Sequence, residues 1–223
     1  MVAIVRDGEA YLGAALRSVF ASTYPVHEVL VVDGGSTDRT AEIAAGTGAR
    51  VLPQQSTGIA AAYNEGIAAT SGDCVAFISH DDLWDPTKLE KQAAFVTQNP
   101  MVQICVCHVR HVLQGPTAPP GFRKELLDHP VPGLIMEALL ARREAFDLVG
   151  PFDTAFSVSN DTDWFARARD QGLAIAVLPE TLVIKRVHSN NTTLKPEGFS
   201  QQLLDVVRAS VARKRSRYMG DAS

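Results

Sequence analysis

Cysteine is scarce: Cys74, Cys105 and Cys107 are the three in 223 residues, which is no basis for a disulfide framework in a chain this long and agrees with a reducing compartment. No apolar run approaches the ~20 residues that a membrane span needs. The opening MVAIVRDGEA lacks the basic flank and apolar stretch of a signal peptide. There is no positive excess either. Lys and Arg total 21 against 25 Asp and Glu, a net charge of -4, so no nucleic-acid partner is expected. The expected compartment is the cytoplasm. Peripheral contact at the inner membrane surface is the alternative, because Arg208, Arg213, Lys214, Arg215 and Arg217 crowd the chain's end; a solvated helix end is the simpler reading of that tail. The first strand, MVAIV, begins almost at the initiator Met, so a few upstream residues are expected to be missing.

What is present is the composition of one globular domain, with 46% hydrophobic residues and 21% charged. Residues 28–33, EVLVVD, read as a buried strand; Gly34 and Gly35 break it, and Ser36 or Thr37 is placed to cap the helix TDRTAEIAA. A brief strand at Val51 and Leu52 follows, then a helix over 58–70, a strand over 74–79 (CVAFIS), a helix over 86–97 and a strand over 102–109. This alternation predicts an α/β fold with a mainly parallel central sheet flanked by helices, and ligands beyond the carboxyl ends of its strands. Residues 114–133 hold five prolines and three glycines and read as a long functional loop. Beyond it come LIMEALLARREAFDLVG, the helix DTDWFARARDQG, separate strands near AIAVL and LVIKRVH, and a last helix from about Phe199. The expected division is a nucleotide-sugar half over 1–112, an acceptor and catalytic half over 113–195, and a C-terminal helix over 196–223.

Four stretches carry candidate chemistry. In ISHDDLWDP, Asp85 before Pro86 suits a helix start, which leaves Asp81 and Asp82 at the strand end with no capping role. Adjacent carboxylates in extended backbone point to opposite sides, so one is suited to a metal and the other to a hydroxyl; a solvated turn is the plain alternative. VDGGSTD places an acid, then glycines that let a ligand approach the backbone, then a helix start. In SNDTDW, Asp163 suits the positive end of a helix dipole, whereas Asp161 is ambiguous. KRVHSNNT gathers donors suited to phosphate or to a polar loop. Its Asn190-Asn191-Thr192 and Asn191-Thr192-Thr193 fit the glycosylation pattern, irrelevant without secretion. Cys105, Cys107, His108 and His111 lack standard zinc spacing and read as core.

Taken in order, VVDGGSTDRT, GIAAAYNEGIAATSGDCVAFISHDDLW, GPFDTAFSVSNDTDWFARARDQG and VIKRVHSNNTT resemble the family 2 glycosyltransferases, inverting enzymes of the GT-A fold that use nucleotide-activated sugars. The resemblance runs from about Tyr11 to Thr193. It implies Asp82 and His188 on a divalent Mn²⁺ or Mg²⁺ ion, Asp81 on the ribose, and Asp33, Gly34 and Asn64 beside the nucleotide-sugar. It also implies that Asp161 is the general base. The donor it favours is a UDP-sugar, and the acceptor a saccharide, a lipid-linked saccharide, a peptide or a metabolite. The chain departs from the family where Asn160 replaces a Glu, where Gly34 replaces an Asp that reads the base, and where Val5-Arg6-Asp7-Gly8 replaces Pro-x-Tyr-Asn. A sugar nucleotidyltransferase and a non-catalytic sugar-nucleotide binder are the rival readings.

Overall fold

The computed structural model describes residues 1–191 and 199–220. Chain order is β1 (Val2–Val5), α1 (Leu12–Phe20), β2 (Leu30–Asp33), α2 (Thr40–Gly46), β3 (Arg50–Pro53), α3 (Ile59–Ala68), β4 (Cys74–Ser79), β5 (Leu83–Trp84), α4 (Lys88–Gln98) and β6 (Val102–Leu113). Then follow β7 (Val131–Pro132), β8 (Leu140–Arg142), α5 (Arg143–Val149), α6 (Asn160–Asp170), β9 (Ala174–Val187) and α7 (Phe199–Gly220), with short 3₁₀ turns at Lys124–Leu127 and Met136–Ala138. Among the described residues no helix is long and apolar enough to cross a membrane.

One sheet runs β3-β2-β1-β4-β8-β6-β9-β5, with β7 beside β6. The first four strands are parallel, as the alternation predicts. The second half is mixed: β8 is antiparallel to β4 and β6, and β6 and β9 are parallel to each other. Leu30, Val31 and Val32 of β2 are wholly buried, the signature of a strand covered on both faces. Each such side chain contributes about 1.5–3 kcal/mol relative to exposure. Gly66 of α3 lies so close to β1 that a Cβ there would meet Val2 Cγ1 at 2.5 Å. The two predicted strands near the chain's end are one, β9, which passes Pro179 by a bulge: Cys107 pairs with Leu178, but His108 with Thr181.

Local signals hold in part. Asp85 begins the turn into α4, its Oδ1 accepting from the Thr87 N–H at 2.8 Å and the Thr87 hydroxyl at 2.6 Å. For α2 the cap is not Ser36 or Thr37: the N-cap position is Arg39, without a side-chain cap bond, Asp38 accepts the Thr40 N–H at 2.9 Å just before the helix, and Ser36 is bonded to Asp33 instead. The proline-rich stretch contains the 3₁₀ turn at Lys124–Leu127 and the short β7.

Two interior clusters fix the pieces that later matter. Tyr63 (α3), Phe77 (β4), Phe146 (α5), Phe152 and Trp164 (α6) stack or meet edge-on, with centroids 5.1 Å apart for Tyr63–Phe77 and 4.8 Å for Phe146–Trp164. This cluster sets how the start of α6 faces the sheet. The segment Met136–Leu139 is held by side chains from α4 and β5: Trp84 Nε1 donates to the Glu137 carbonyl at 3.2 Å, Gln92 Nε2 to the Ala138 carbonyl at 2.8 Å, and buried Lys88 to the Leu139 carbonyl at 3.3 Å. Among the described residues Lys88 meets no carboxylate in a hydrogen bond, and it lies over the Trp84 ring at 4.1 Å; burial lowers its pKa to about 8.

Trp164→Ala removes the largest wholly buried side chain at the α5–α6 junction and should cost about 3–5 kcal/mol of stability. Urea unfolding with an unchanged m-value would measure it.

Candidate functional site

Parallel register aligns the carboxyl ends of the first strands. Val5 pairs with Asp33, Asp33 with Pro53, and Ile4 with Ser79, so the loops that follow β1, β2, β3 and β4 open on one edge. A cavity of about 490 Å³ lies there, the place where an open α/β sheet binds ligands. One wall is Arg6, Gly34 and residues 54–58; the other carries Asp81, Glu137, Asp161 and Lys185.

Asp81 and Asp82 part company, but not by the pleat of an extended strand: β4 ends at Ser79 and the chain turns there, the Asp82 N–H donating to the Ser79 carbonyl at 3.2 Å. Asp82, expected on the metal, is turned into the protein: it is fully buried, accepts from Lys185 Nζ at 2.8 Å and the Arg186 N–H at 3.1 Å, and does not line the cavity. Burial pushes its pKa up to about 7 against the pull of Lys185. Burial alone would lower Lys185, but Asp82, Glu137 and Asp81 together raise it above its ordinary value, so the lysine is charged. The carboxylate that faces the cavity is Asp81. Its Oδ2 lies 3.1 Å from His188 Nε2 and accepts from Asn191 Nδ2 at 2.9 Å. Burial opposes ionisation of Asp81, but Lys185, His80 and His188 outweigh it and hold its pKa low. His188 is stacked on Tyr11, ring centroids 4.7 Å apart, and Arg186 covers the Tyr11 ring at 4.8 Å.

Asp161 stands in the first turn of α6, half-buried and lining the cavity. It accepts from the Thr162 N–H at 2.6 Å and the Thr162 hydroxyl at 3.3 Å. Burial first, then the charge of Glu137, raises its pKa to about 6. Asp163, two residues on, has the structural role its position suggests: it pairs with Arg167 at 2.7 Å, and Arg167 also donates to the Val149 and Pro151 carbonyls.

The remaining candidates divide. Gly34 lines the cavity, and a Cβ there would sit 3.1 Å from Gln54 Oε1 and 3.4 Å from the Val5 carbonyl, so a ligand reaches the backbone because no side chain intervenes. Asp33 is half-buried beside the cavity, with its carboxylate folded onto the Ser36 N–H and hydroxyl. Asn64 is not in the cavity: its amide clamps the Phe152 main chain in both directions, at 2.9 and 2.8 Å, tying α3 to the segment before α6. Asn160 is buried at the cavity wall. Thr192 and Thr193, which end the last motif, lie outside the described residues, as does the side chain of Arg217. Cys105 and Cys107 are buried as free thiols, and burial raises both pKa values, as in a core strand.

Glu137 escaped the sequence reading. The one available signal was a lone acid inside the apolar run LIMEALLA, which ordinarily marks an exposed position. Here it is 8% exposed and lines the cavity.

A family model described as "Glycosyl transferase family 2" matches residues 1–149. Among curated proteins, an uncharacterized glycosyltransferase of Rickettsia typhi is 29% identical over 204 residues, covering 85% of this chain and 64% of that protein. An uncharacterized protein of Mycobacterium tuberculosis is 28% identical over 212 residues, with 85% and 59% covered. The chain thus spans about six-tenths of the length of these relatives. Similar solved structures include S. aureus TarS 1-349 in complex with UDP-GlcNAc, with a TM-score of 0.74, 18% identity and coverage of 95% of this chain and 65% of that one. Glucosyl-3-phosphoglycerate synthase from M. tuberculosis, with Mn²⁺, UDP and glucosyl-3-phosphoglycerate, gives 0.65, 24%, 94% and 78%. The likeness to these structures establishes a shared GT-A fold.

Removing Lys185 strands a buried carboxylate. Lys185→Met should therefore cost about 3–5 kcal/mol, and adding Asp82→Asn should recover part of that loss. Chemical denaturation of both variants decides it: a double variant no more stable than the single would show that the pair is not the source.

Proposed function

The chain belongs to glycosyl transferase family 2, and on that premise we propose that it is an inverting glycosyltransferase that moves a sugar from a nucleotide donor to an acceptor hydroxyl. One observation carries the reading: Asp81, paired with His188, and Asp161, a carboxylate of raised proton affinity, serve the same cavity at the strand ends. UDP is the favoured nucleotide, because similar folds have been solved with UDP or UDP-GlcNAc bound. Its base would lie against Arg6, Gly34 and Gln54, and its diphosphate toward Asp81.

The donor set fits a divalent cation of a particular kind. Among the described residues no three His, Cys, Asp or Glu side chains converge into an all-protein cage. Mg²⁺ and Mn²⁺ do not require one; such ions bind through one or two side chains plus substrate phosphates and water. Asp81 Oδ2 and His188 Nε2, 3.1 Å apart, are the residues that would hold it, with Asp82 in a supporting position behind them. When bound, the ion supplies neutralisation of the charge that develops on the diphosphate.

Asp161 is the base. Its carboxylate takes the proton of the acceptor hydroxyl while that oxygen forms a bond to the anomeric carbon. The bond from that carbon to the diphosphate breaks, the nucleoside diphosphate leaves with the electron pair, and the configuration inverts. A pKa of about 6 keeps Asp161 ionised at neutral pH yet more basic than an ordinary carboxylate. The neighbouring Asn160 is an amide and does not compete for that proton. The acceptor, a saccharide, a lipid-linked saccharide, a peptide or a metabolite, enters past the segment between Asp153 and Asn160.

The nucleotidyltransferase reading fits less well. Such an enzyme needs free amides in its first loop to cradle a triphosphate. Here the N–H groups of Asp7, Gly8 and Glu9 are taken by Ser36 Oγ, Thr40 Oγ1 and Asp38 Oδ2 at 2.9, 2.8 and 3.0 Å, and Asp7 itself has a positive φ of 50°.

Three outcomes test the proposal. Asp161→Asn should lower transfer by about 10²-fold or more while UDP affinity stays within about twofold; full activity would remove Asp161 from the mechanism. In the unmodified chain, kcat should rise with pH through about 6, since protonation below that value removes the base. Finally, Asp81→Asn should cut Mn²⁺-dependent UDP affinity about tenfold or more, measured by titration calorimetry. Asp82→Asn should chiefly alter stability, and the opposite pattern would return the metal to Asp82.

A further inference from the structure

The transferred sugar must lie between the leaving diphosphate and the base, because in a single displacement the anomeric carbon sits between the bond that breaks and the bond that forms. Asp81 and Asp161 mark those two ends of the cavity. Glu137 is the other carboxylate among the described lining residues.

Glu137 is held in place from several directions. Its main chain is fixed by Trp84 Nε1 on its own carbonyl and by Gln92 on the next one. Its Oε1 accepts from the Ser79 hydroxyl and lies 3.8 Å from Lys185 Nζ. Its second oxygen, Oε2, accepts no hydrogen bond from a described residue. A carboxylate in the cavity wall with one oxygen anchored and the other without a donor from a described residue is an acceptor free for a ligand. Ring hydroxyls are donors of the right kind. Because the side chain is already immobilised, binding them loses little rotamer freedom.

The charge pattern narrows the sugar further. Of the two cations among the described lining residues, Lys185 is engaged by Asp82 at 2.8 Å, with Glu137 beside it. Arg6 is at the rim with its side chain 72% exposed. A sugar carboxylate placed between Asp81 and Asp161 would meet Glu137 with no unengaged cation among the described residues beside it, and like charges held close in a low-dielectric site repel strongly.

We propose that Glu137 is a specificity-determining residue that accepts hydrogen bonds from the hydroxyls of the transferred sugar, so that the donor carries an uncharged hexosyl group and uronic-acid donors are rejected. This rests on the donor-binding reading above and adds to it the class of sugar.

The test compares UDP, UDP-glucose, UDP-galactose, UDP-GlcNAc and UDP-glucuronate as ligands of the unmodified chain and of Glu137→Gln, by titration calorimetry with Mn²⁺ present. Glutamine keeps the volume and can still accept from Ser79 while removing the charge; a second variant, Glu137→Ala, removes the acceptor as well. Expected are equal UDP affinities in the three proteins and a gain from at least one neutral hexose that falls about tenfold in Glu137→Gln, and further in Glu137→Ala. UDP-glucuronate should bind the unmodified chain about tenfold or more weakly than the best neutral donor and should bind Glu137→Gln better than it binds the unmodified chain. A loss caused by general damage to the fold would move all ligands the same way, UDP included. If UDP binds but Glu137→Gln leaves the neutral and uronic donors in their original ratio, the assignment of Glu137 is overturned and the nucleotide-sugar reading stands. If UDP, GDP and dTDP all fail to bind the unmodified chain, the nucleotide-sugar reading falls, and this assignment with it.

Discussion

The ion pair between Asp82 and Lys185 is the constraint on which the site depends. It joins the turn after β4 to β9, elements a hundred residues apart in sequence, across 2.8 Å in the interior. Buried pairs of this kind add little net stability compared with apolar packing, but they are unforgiving of the loss of one partner. Their stronger effect is geometric. With Asp82 committed inward and also bonded to the Arg186 N–H, the neighbouring Asp81 must face outward, and β9 is held in the register that brings His188 to it.

The same arrangement explains why acids gather in one cavity at tolerable cost. Lys185 stands in the same wall, 3.8 Å from Glu137 Oε1, and its charge helps to hold the pKa of Asp81 low. Asp161 is farther from that compensation. Burial and the field of Glu137 raise its proton affinity, as the base role proposed for it requires. Three carboxylates of ordinary chemistry thus sit in three different surroundings, to which the proposed roles correspond. The aromatic cluster around Trp164 and the Asn64 clamp on Phe152 keep α6, and hence Asp161, at its station.

Much of this was legible in the order of residues. Alternating apolar runs and helical segments announced the parallel half of the sheet, and Asp85-Pro86 announced the start of α4. Asp161 and Gly34 were identified from their motifs and do line the cavity. Elsewhere local signals misled. Pro179 split β9 into two predicted strands, because a residue without an N–H ordinarily ends a ladder, whereas here a bulge carries the strand past it. The resemblance set Asn64 beside the nucleotide-sugar, yet a main chain 88 residues away uses both ends of its amide.

By itself the sequence determined that Asp81 and Asp82 stand just past a strand end, since the apolar run CVAFIS stops before them; their opposite orientation comes from the turn that the Asp82 N–H closes on the Ser79 carbonyl, not from a strand pleat. Which of the two faces the cavity was not encoded locally. It was decided by Lys185, and by the β5–β9 pairing that sets Leu83 against Ile184, a contact between residues that no sequence window contains together. Glu137 is the same case. In the sequence it is one acid among apolar neighbours, and only the packing of Trp84, Gln92 and Ser79 around it makes it a wall of the cavity.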